Sequence, residues 1–269
     1  MPTAMSSRIR LDAELVRRGL ARSREQAAEL ISGGRVAVAG LTAGKAATQV
    51  SRGAAITVTG EAGPEYVSRG GHKLAGALAA FGGLTVAGRH CLDAGASTGG
   101  FTDALLRAGA AHVVAADVGY GQLAWVLRGD PRVTVLERVN VRELRPEQVA
   151  PPPGLVVADL SFISLATVLP ALVDCAEPDA DFVLLVKPQF EVGRGRVGRG
   201  GVVRDPGLRA EAVSAVAGAA ASRGLGVAGV TASPLPGPAG NVEYFLWLRR
   251  GAPPLDRAEL ERAIAAGPQ

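Results

Sequence analysis

The chain has 269 residues, a net charge of +4, and a composition that is 48% hydrophobic but only 4% aromatic. That length suits one large domain with a small one beside it, with cores built from Ala, Val and Leu. No apolar run approaches the roughly 20 residues of a membrane span; Cys91 and Cys175 read as buried thiols of a reducing cytoplasm, and the scattered His72, His90 and His112 make no metal site.

Met1–Ser7 is short and polar, without a signal-peptide core. Residues 8–59 read as a small α+β unit. In Leu11–Arg18 the apolar Leu11, Leu15 and Val16 share one helix face. Ser23 caps a second helix, with Gln26 in capping-box position, and Gly33-Gly34 stops it. Val36–Val38 and Ala54–Val58 read as strands. Residues 1–60 hold nine basic and four acidic residues, a balance of +5, whereas the remainder sums to −1. A basic leading segment is an electrostatic footprint for nucleic acid.

Residues 60–67 read as a Gly/Pro-bearing linker. Gly70-Gly71 then precedes an amphipathic helix, Lys73–Phe81, with Lys73 in its first turn, against the helix dipole. From residue 90 strands and helices alternate. Strands are expected around Cys91-Leu92 and over His112–Val118, Val133–Leu136, Leu155–Leu160 and Phe182–Lys187. Helices are expected from Phe101, over Gly121–Leu127, and over Leu165–Cys175 with a kink or break at Pro170. A Gly/Arg-rich loop, Glu191–Val202, brings Arg194, Arg196 and Arg199 as further candidates to meet RNA. A helix over Arg204–Arg223 follows. Val227–Ala232 and Glu243–Arg249 are joined as a terminal antiparallel hairpin, and 251–269 is a short helix and frayed tail. Continuous apolar strands in this alternation predict a mainly parallel sheet covered on both faces.

The organising stretch is His90–Thr102, HCLDAGASTGGFT. It reads as a strand, a tight loop and a helix N-terminus, in which Gly95, Gly99 and Gly100 let backbone approach a ligand. The loop lacks the GxGxxG spacing of dinucleotide folds and the GK[ST] ending of a phosphate loop. Parallel strands deliver their carboxyl-end residues to one edge, which here collects Asp93, Asp117, Asp159 and Lys187, with Glu243 starting the last strand. Asp117 suits a ribose diol, in NAD and S-adenosylmethionine enzymes alike. The chain has 26 arginines and only three lysines, Lys45, Lys73 and Lys187. A rare lysine in such a chain is a candidate for chemistry, because its charge can be tuned and that of arginine cannot.

Residues 8–59 resemble the S4 RNA-binding domain, through RIRLDAELVRRGLARSREQAAELISGGRVAVAG, Val50 and ITV. That resemblance implies phosphate contacts from Arg10, Arg17, Arg18, Arg22, Arg24 and Arg35. The motifs SRGGHKL, LDAGASTGGFT, ADVGYGQLAW, ADLSFISL, LVKPQFEVG and GNVEYF resemble the FtsJ-type RNA 2′-O-methyltransferases, and the whole chain resembles their TlyA (hemolysin A) family. The linker departs from that family at Tyr66, where relatives carry Trp. The resemblance implies a Rossmann-like class I methyltransferase, with a seven-stranded sheet ending in the hairpin, over 68–250. It implies a Lys–Asp–Lys–Glu tetrad at Lys73, Asp159, Lys187 and Glu243. It places S-adenosylmethionine on Asp93, Gly95, Ser97, Thr98, Gly99, Gly100 and Phe101, on Asp117 at the ribose, around Asn140 at the adenine, and beside Asp159. Cytidines of small- and large-subunit ribosomal RNA are the implied substrates, in free RNA or ribosomal subunits, with no membrane and no metal. Lys187, tuned by burial and by Lys73, is the candidate base. Rival readings are an NAD(P) oxidoreductase, a membrane-active hemolysin and a non-catalytic RNA-binding module.

Overall fold

The structure, a computed structural model, describes residues 8–21, 23–58 and 66–268. Met1–Ser7, Arg22 and most of the expected linker lie outside the described residues. The chain divides into two compact units, Met1–Pro64 and Glu65–Gln269.

The first unit runs β1 (Arg8–Arg10), α1 (Leu11–Arg17), α2 (Arg24–Ser32), β2 (Val36–Val38), β3 (Leu41–Thr42), β4 (Gln49–Ser51) and β5 (Ile56–Val58). Its core joins Leu11, Leu15, Ala27, Ile31, Val36 and Val50. Ser23 caps α2 by accepting from the Gln26 amide at 3.1 Å. The pairings β1–β4 and β2–β3 went unseen in the sequence, because two- and three-residue strands carry too little periodicity to read.

The arginines of this unit do not stand alone. Asp12, 4% exposed, receives Arg10 at 2.8 Å and Arg24 at 3.0 Å. Glu14, fully buried, receives Arg17 at 2.6 Å and Arg18 at 2.8 Å. The hydrogen bond from Arg10 holds the Asp12 carboxyl well below the usual carboxylate range. That from Arg17 pulls Glu14 down to about 2, against the cost of its burial. A carboxylate depressed in the folded state adds stability above its unfolded pKa and loses it as pH falls through the folded one. Acidification from the unperturbed 4.5 toward 2 is therefore expected to loosen α1. Hydrogen exchange of α1 amides, corrected for intrinsic rates, checks this. Glu14→Gln should flatten the pH profile, and a variant profile identical to wild type would refute the assignment.

The second unit opens with α3 (Arg69–Ala80). It continues through β6 (His90–Ala94), α4 (Gly100–Arg107), β7 (His112–Asp117), α5 (Trp125–Arg128), β8 (Val133–Glu137), β9 (Leu155–Ala158) and α6 (Leu165–Cys175). It ends with β10 (Asp181–Val186), α7 (Pro188–Glu191), α8 (Pro206–Ala221), β11 (Leu225–Ala232), β12 (Tyr244–Arg250) and α9 (Arg257–Ala266). The seven strands form one sheet in the order β11-β12-β10-β9-β6-β7-β8. β10, β9, β6, β7 and β8 are paired parallel; β12 is antiparallel to both β10 and β11, so six strands share one direction and β12 alone is reversed.

Side chains of a strand alternate between faces, and here both faces are dry. Leu92, Val156, Ala158, Phe182, Leu184, Tyr244 and Leu246 enter one core. Cys91, Leu155, Val157, Val183, Leu185, Phe245 and Trp247 enter the other. This two-sided burial explains why these strands read as unbroken apolar runs.

Several expected elements are corrected. Gly70-Gly71 lies inside α3, which starts at Arg69, so Lys73 sits in its second turn; the clash with the helix dipole does not arise. The helix expected over Gly121–Leu127 is only Trp125–Arg128, since Gly121 takes a positive φ of 70°. Pro170 lies within α6 without ending it. The Gly/Arg loop contains two short 3-10 turns, Arg194–Arg196 and Arg199–Gly201. The tail holds α9, whose Leu260 and Ala263 are buried in the core rather than frayed. No helix among the described residues is long and apolar enough to cross a membrane.

Candidate functional site

The carboxyl ends of the parallel strands define the site. β6 buries Cys91 and Leu92 and then Asp93, which has no exposed surface. Thr102 Oγ1, on α4, donates to Asp93 Oδ2 at 2.6 Å, and Asp93 Oδ1 is buried without a hydrogen-bond partner. Burial, opposed by the Thr102 bond and reinforced by the charge of Asp159, pushes the Asp93 carboxyl up to about 7.

The turn after β6 is tied down by its backbone. The amides of Gly95 and Ala96 donate to Ala116 O at 2.8 and 3.2 Å. Gly95 and Gly99 take φ of 88° and 98°, a region that costs other residues 1–2 kcal/mol or so. The glycines of this turn also make room for neighbouring protein. A Cβ on Gly95 would lie 2.5 Å from Asp159 O. One on Gly99 would strike Leu123 and Leu127, and one on Gly100 would strike Ser68 and the α3 backbone. Their missing side chains let protein approach protein, so the turn lies flush against β9, α5 and α3. Phe101 also turns inward, 3% exposed with its ring 5.9 Å from Phe245, so its side chain is core. Ser97 and Thr98 are the exposed residues of the turn.

Asp117 ends β7. Its Oδ2 accepts from Ser97 N at 2.8 Å and its Oδ1 from Gly119 N at 2.7 Å. Each oxygen retains acceptor capacity. Val139 N donates to Asp117 O at 3.0 Å, which sets the next residue, the exposed Asn140, alongside. The Asn140 side chain caps a 3-10 turn by accepting from Arg142 N.

The four tetrad positions meet at the other half of the edge. Asp159 follows β9, its amide bonded to Ala94 O at 3.1 Å. Lys187 follows β10. In the antiparallel register Val186 faces Tyr244, so Glu243 arrives opposite Lys187. Lys73 reaches in from α3. Lys187 Nζ lies 2.6 Å from Asp159 Oδ1 and donates to Ser161 Oγ at 2.9 Å. Lys73 Nζ donates to Glu243 Oε2 at 2.6 Å, with both side chains buried. Lys73 is thus paired with Glu243. Burial pushes the Glu243 carboxyl up, and Lys73 and then Lys187 pull it back.

Two oxygens of this cluster, Asp159 Oδ1 and Glu243 Oε1, are buried without a hydrogen-bond partner; the Asp159–Lys187 contact is an ion pair out of hydrogen-bond alignment. Asp93 Oδ1 and Glu243 Oε1 are therefore buried acceptors with no donor among the described residues, an arrangement that is costly unless a ligand completes it. Such acidic, donor-hungry lining fits a cationic group carrying N–H and O–H donors.

Ser161 and Phe162 were missed. Phe162 is 92% exposed at φ 65°, with its ring 5.3 Å from Phe190. Strain of this kind gathers at functional sites, but only backbone dihedrals disclose it. Of the RNA-facing candidates, Arg10, Arg17, Arg18 and Arg24 lie in the carboxylate pairs already described, Arg35 is half-buried, and Arg22 falls outside the described residues.

Residues 66–250 match the FtsJ-like methyltransferase family and residues 9–56 the S4 domain family. The chain is 65% identical to the 16S/23S rRNA (cytidine-2′-O)-methyltransferase TlyA of Mycobacterium tuberculosis, over 98% of this chain and all of that one. It is 38% identical to hemolysin A of Brachyspira hyodysenteriae, over 88% of this chain and 98% of that one. A solved structure from Streptococcus thermophilus, named as a hemolysin, is 37% identical and superimposes with a TM-score of 0.76, covering 97% of this chain and 95% of that one.

Proposed function

The chain belongs to the TlyA family of FtsJ-like methyltransferases, and we propose on that premise that it methylates the 2′-oxygen of cytidine ribose in small- and large-subunit ribosomal RNA. S-adenosylmethionine is the methyl donor. The observation that carries the reading is the pairing of two lysines with two carboxylates at one sheet edge, beside the turn that follows β6.

The residues fit the cofactor. Asp93, Gly95, Ser97 and Thr98 hold its methionine end, the carboxylate of Asp117 accepts from its ribose hydroxyls, and the segment at Asn140 borders its adenine. When bound, it supplies a methyl group made electrophilic by a positive sulfonium. Lys187 takes the proton of the 2′-hydroxyl as the oxygen attacks. At rest the Lys187 ammonium pairs with Asp159 at 2.6 Å, so it gives up a proton before it can accept that of the hydroxyl, and it regains the ion pair as it does so. Net charge is conserved, and a fixed carboxylate already faces the place where charge appears. Glu243, held by Lys73, orients the hydroxyl through its unpartnered Oε1. Alignment of oxygen, methyl and sulfur supplies much of the remaining acceleration. The S4 unit docks on structured RNA, and a ribosomal RNA substrate supports a cytoplasmic location.

Incubation with labelled S-adenosylmethionine and ribosomal RNA, followed by mapping of 2′-O-methyl groups, tests the reaction. Methyl groups on cytidine ribose are expected; label on bases or on no RNA would overturn it. A second measurement tests the cofactor contact. Asp93, raised to about 7, carries its charge only above that pH. Affinity for the cationic cofactor should therefore rise between pH 6 and 8, by at most about tenfold per unit for one linked proton. Calorimetry reads this, and Asp93→Asn should flatten it. A flat wild-type profile would remove Asp93 from the contact.

A further inference from the structure

The Gly/Arg segment after α7 is an arch with two anchored feet. Val192 and Val203, buried with Ala212, pin its ends in a small satellite core. Between them Gly193, Gly195, Arg196 and 198–201 are exposed and Val197 is half-buried. Arg196 is engaged, donating to Val192 O and pairing with Glu211. Arg199 and Arg204 are exposed and have no carboxylate partner among the described residues, and Arg204 Nη1 reaches Arg199 O at 3.3 Å.

One buried side chain closes this arch. Asn241 is 1% exposed. Its Oδ1 accepts from Val203 N at 2.9 Å and its Nδ2 donates to Gly201 O at 2.8 Å. Its own carbonyl accepts from Gly237 N at 2.8 Å. A Cβ on Gly237 would lie 2.5 Å from Glu243 Oε1, so the same turn wraps the Glu243 carboxylate. The arch therefore leaves the sheet just after Lys187 and is fastened back just before Glu243. An amide is the side chain suited to this, because it offers a donor and an acceptor side by side to two backbone groups of one strand of chain.

The geometry points to Asn241 as a positioning residue that fixes the arch, so that Arg199 and Arg204 grip phosphates of the RNA strand flanking the reacting ribose. The inference rests on the reading of the protein as an RNA methyltransferase. Asn241 touches no reacting atom; it acts through the two arginines. Exposed guanidinium groups on a fixed backbone, with no carboxylate partner among the described residues, present forks matched to phosphate oxygens. On a loose loop the same groups would lose that register.

The test is steady-state methylation of ribosomal RNA by the full chain at several salt concentrations. It compares wild type, Asn241→Ala, Asn241→Asp, Arg199→Ala/Arg204→Ala and the triple variant, with calorimetry of S-adenosylmethionine alongside. Asn241→Ala should raise KM for RNA about tenfold with kcat and cofactor affinity within about twofold. The double arginine variant should lower the log–log salt slope by roughly 1.5, for two phosphate contacts. The triple variant should add little to the double. Asn241→Asp keeps the acceptor for Val203 N, loses the donor to Gly201 O, and should fall between; it decides the matter if the alanine variant does not fold. An unchanged KM and salt slope in the arginine double, full additivity in the triple, or a kcat-only loss at Asn241 overturns the inference. No transfer by wild type would instead sink the functional reading itself.

Discussion

Lys187→Arg is expected to be as inactive as Lys187→Ala, each losing about 10²- to 10⁴-fold in kcat, or roughly 2.7–5.4 kcal/mol of barrier. Both variants should still bind S-adenosylmethionine. The comparison separates two parts a lysine can play. Arginine keeps the positive charge and the ion pair with Asp159, but it does not surrender a proton in a protein. If Lys187 acts only by its charge, arginine should rescue much of the rate. If it takes the hydroxyl proton, arginine should not. Single-turnover transfer to ribosomal RNA is the measurement. An arginine variant with more than about a tenth of wild-type rate would refute the base assignment.

The second large effect lies at Lys73 and Glu243. This pair is buried on both sides, with side-chain exposures of 8% and 1% and a separation of 2.6 Å. Removing one partner strands the other charge in the interior, which costs about 3–5 kcal/mol, whereas replacing both by apolar groups of similar size is often neutral. Lys73→Met alone should therefore destabilise the second unit strongly, and so should Glu243→Leu. The double variant, Lys73→Met with Glu243→Leu, should regain most of the stability but none of the activity. Denaturant unfolding followed by the tryptophans Trp125 and Trp247 reads the first part, and methyl transfer reads the second. A double variant as unstable as its singles would show that the pair contributes net stability. An active double would remove Glu243 from the chemistry.

Much of the site was legible because strands are simple objects. Four apolar runs end in Asp93, Asp117, Asp159 and Lys187, and parallel pairing sends all four to one edge. Glu243 was legible only as the start of the last strand; the pairing of β12 with β10, which sets it opposite Lys187, is a long-range contact that the hairpin alone does not disclose. Lys73 was different. A helix residue can point anywhere around its axis, and only the resemblance put it in the tetrad. The glycines of the turn were only half legible, for a related reason. A missing Cβ says that something comes close, but not whether that something is ligand or protein; here Asp159 O, Leu127 and the α3 backbone fill the space. The arginines were incomplete in a similar way. Sequence shows their charge but not that Asp12 and Glu14, a few residues away, hold four of them. Ser161 lies one residue past Leu160, too local a feature for periodicity to mark.

The place of β12 has a consequence for how the molecule comes into being. It is the last strand made, yet it is inserted between β10 and β11 and delivers the final tetrad member. A growing chain that has released β11 still lacks the strand that joins β11 to the rest of the sheet. Activity can therefore appear only after about nine-tenths of the 269 residues have been synthesised. Premature stop codons should produce no graded series of weakened enzymes. Every truncation before Glu243 should be a complete null, however much of the cofactor-binding half it retains.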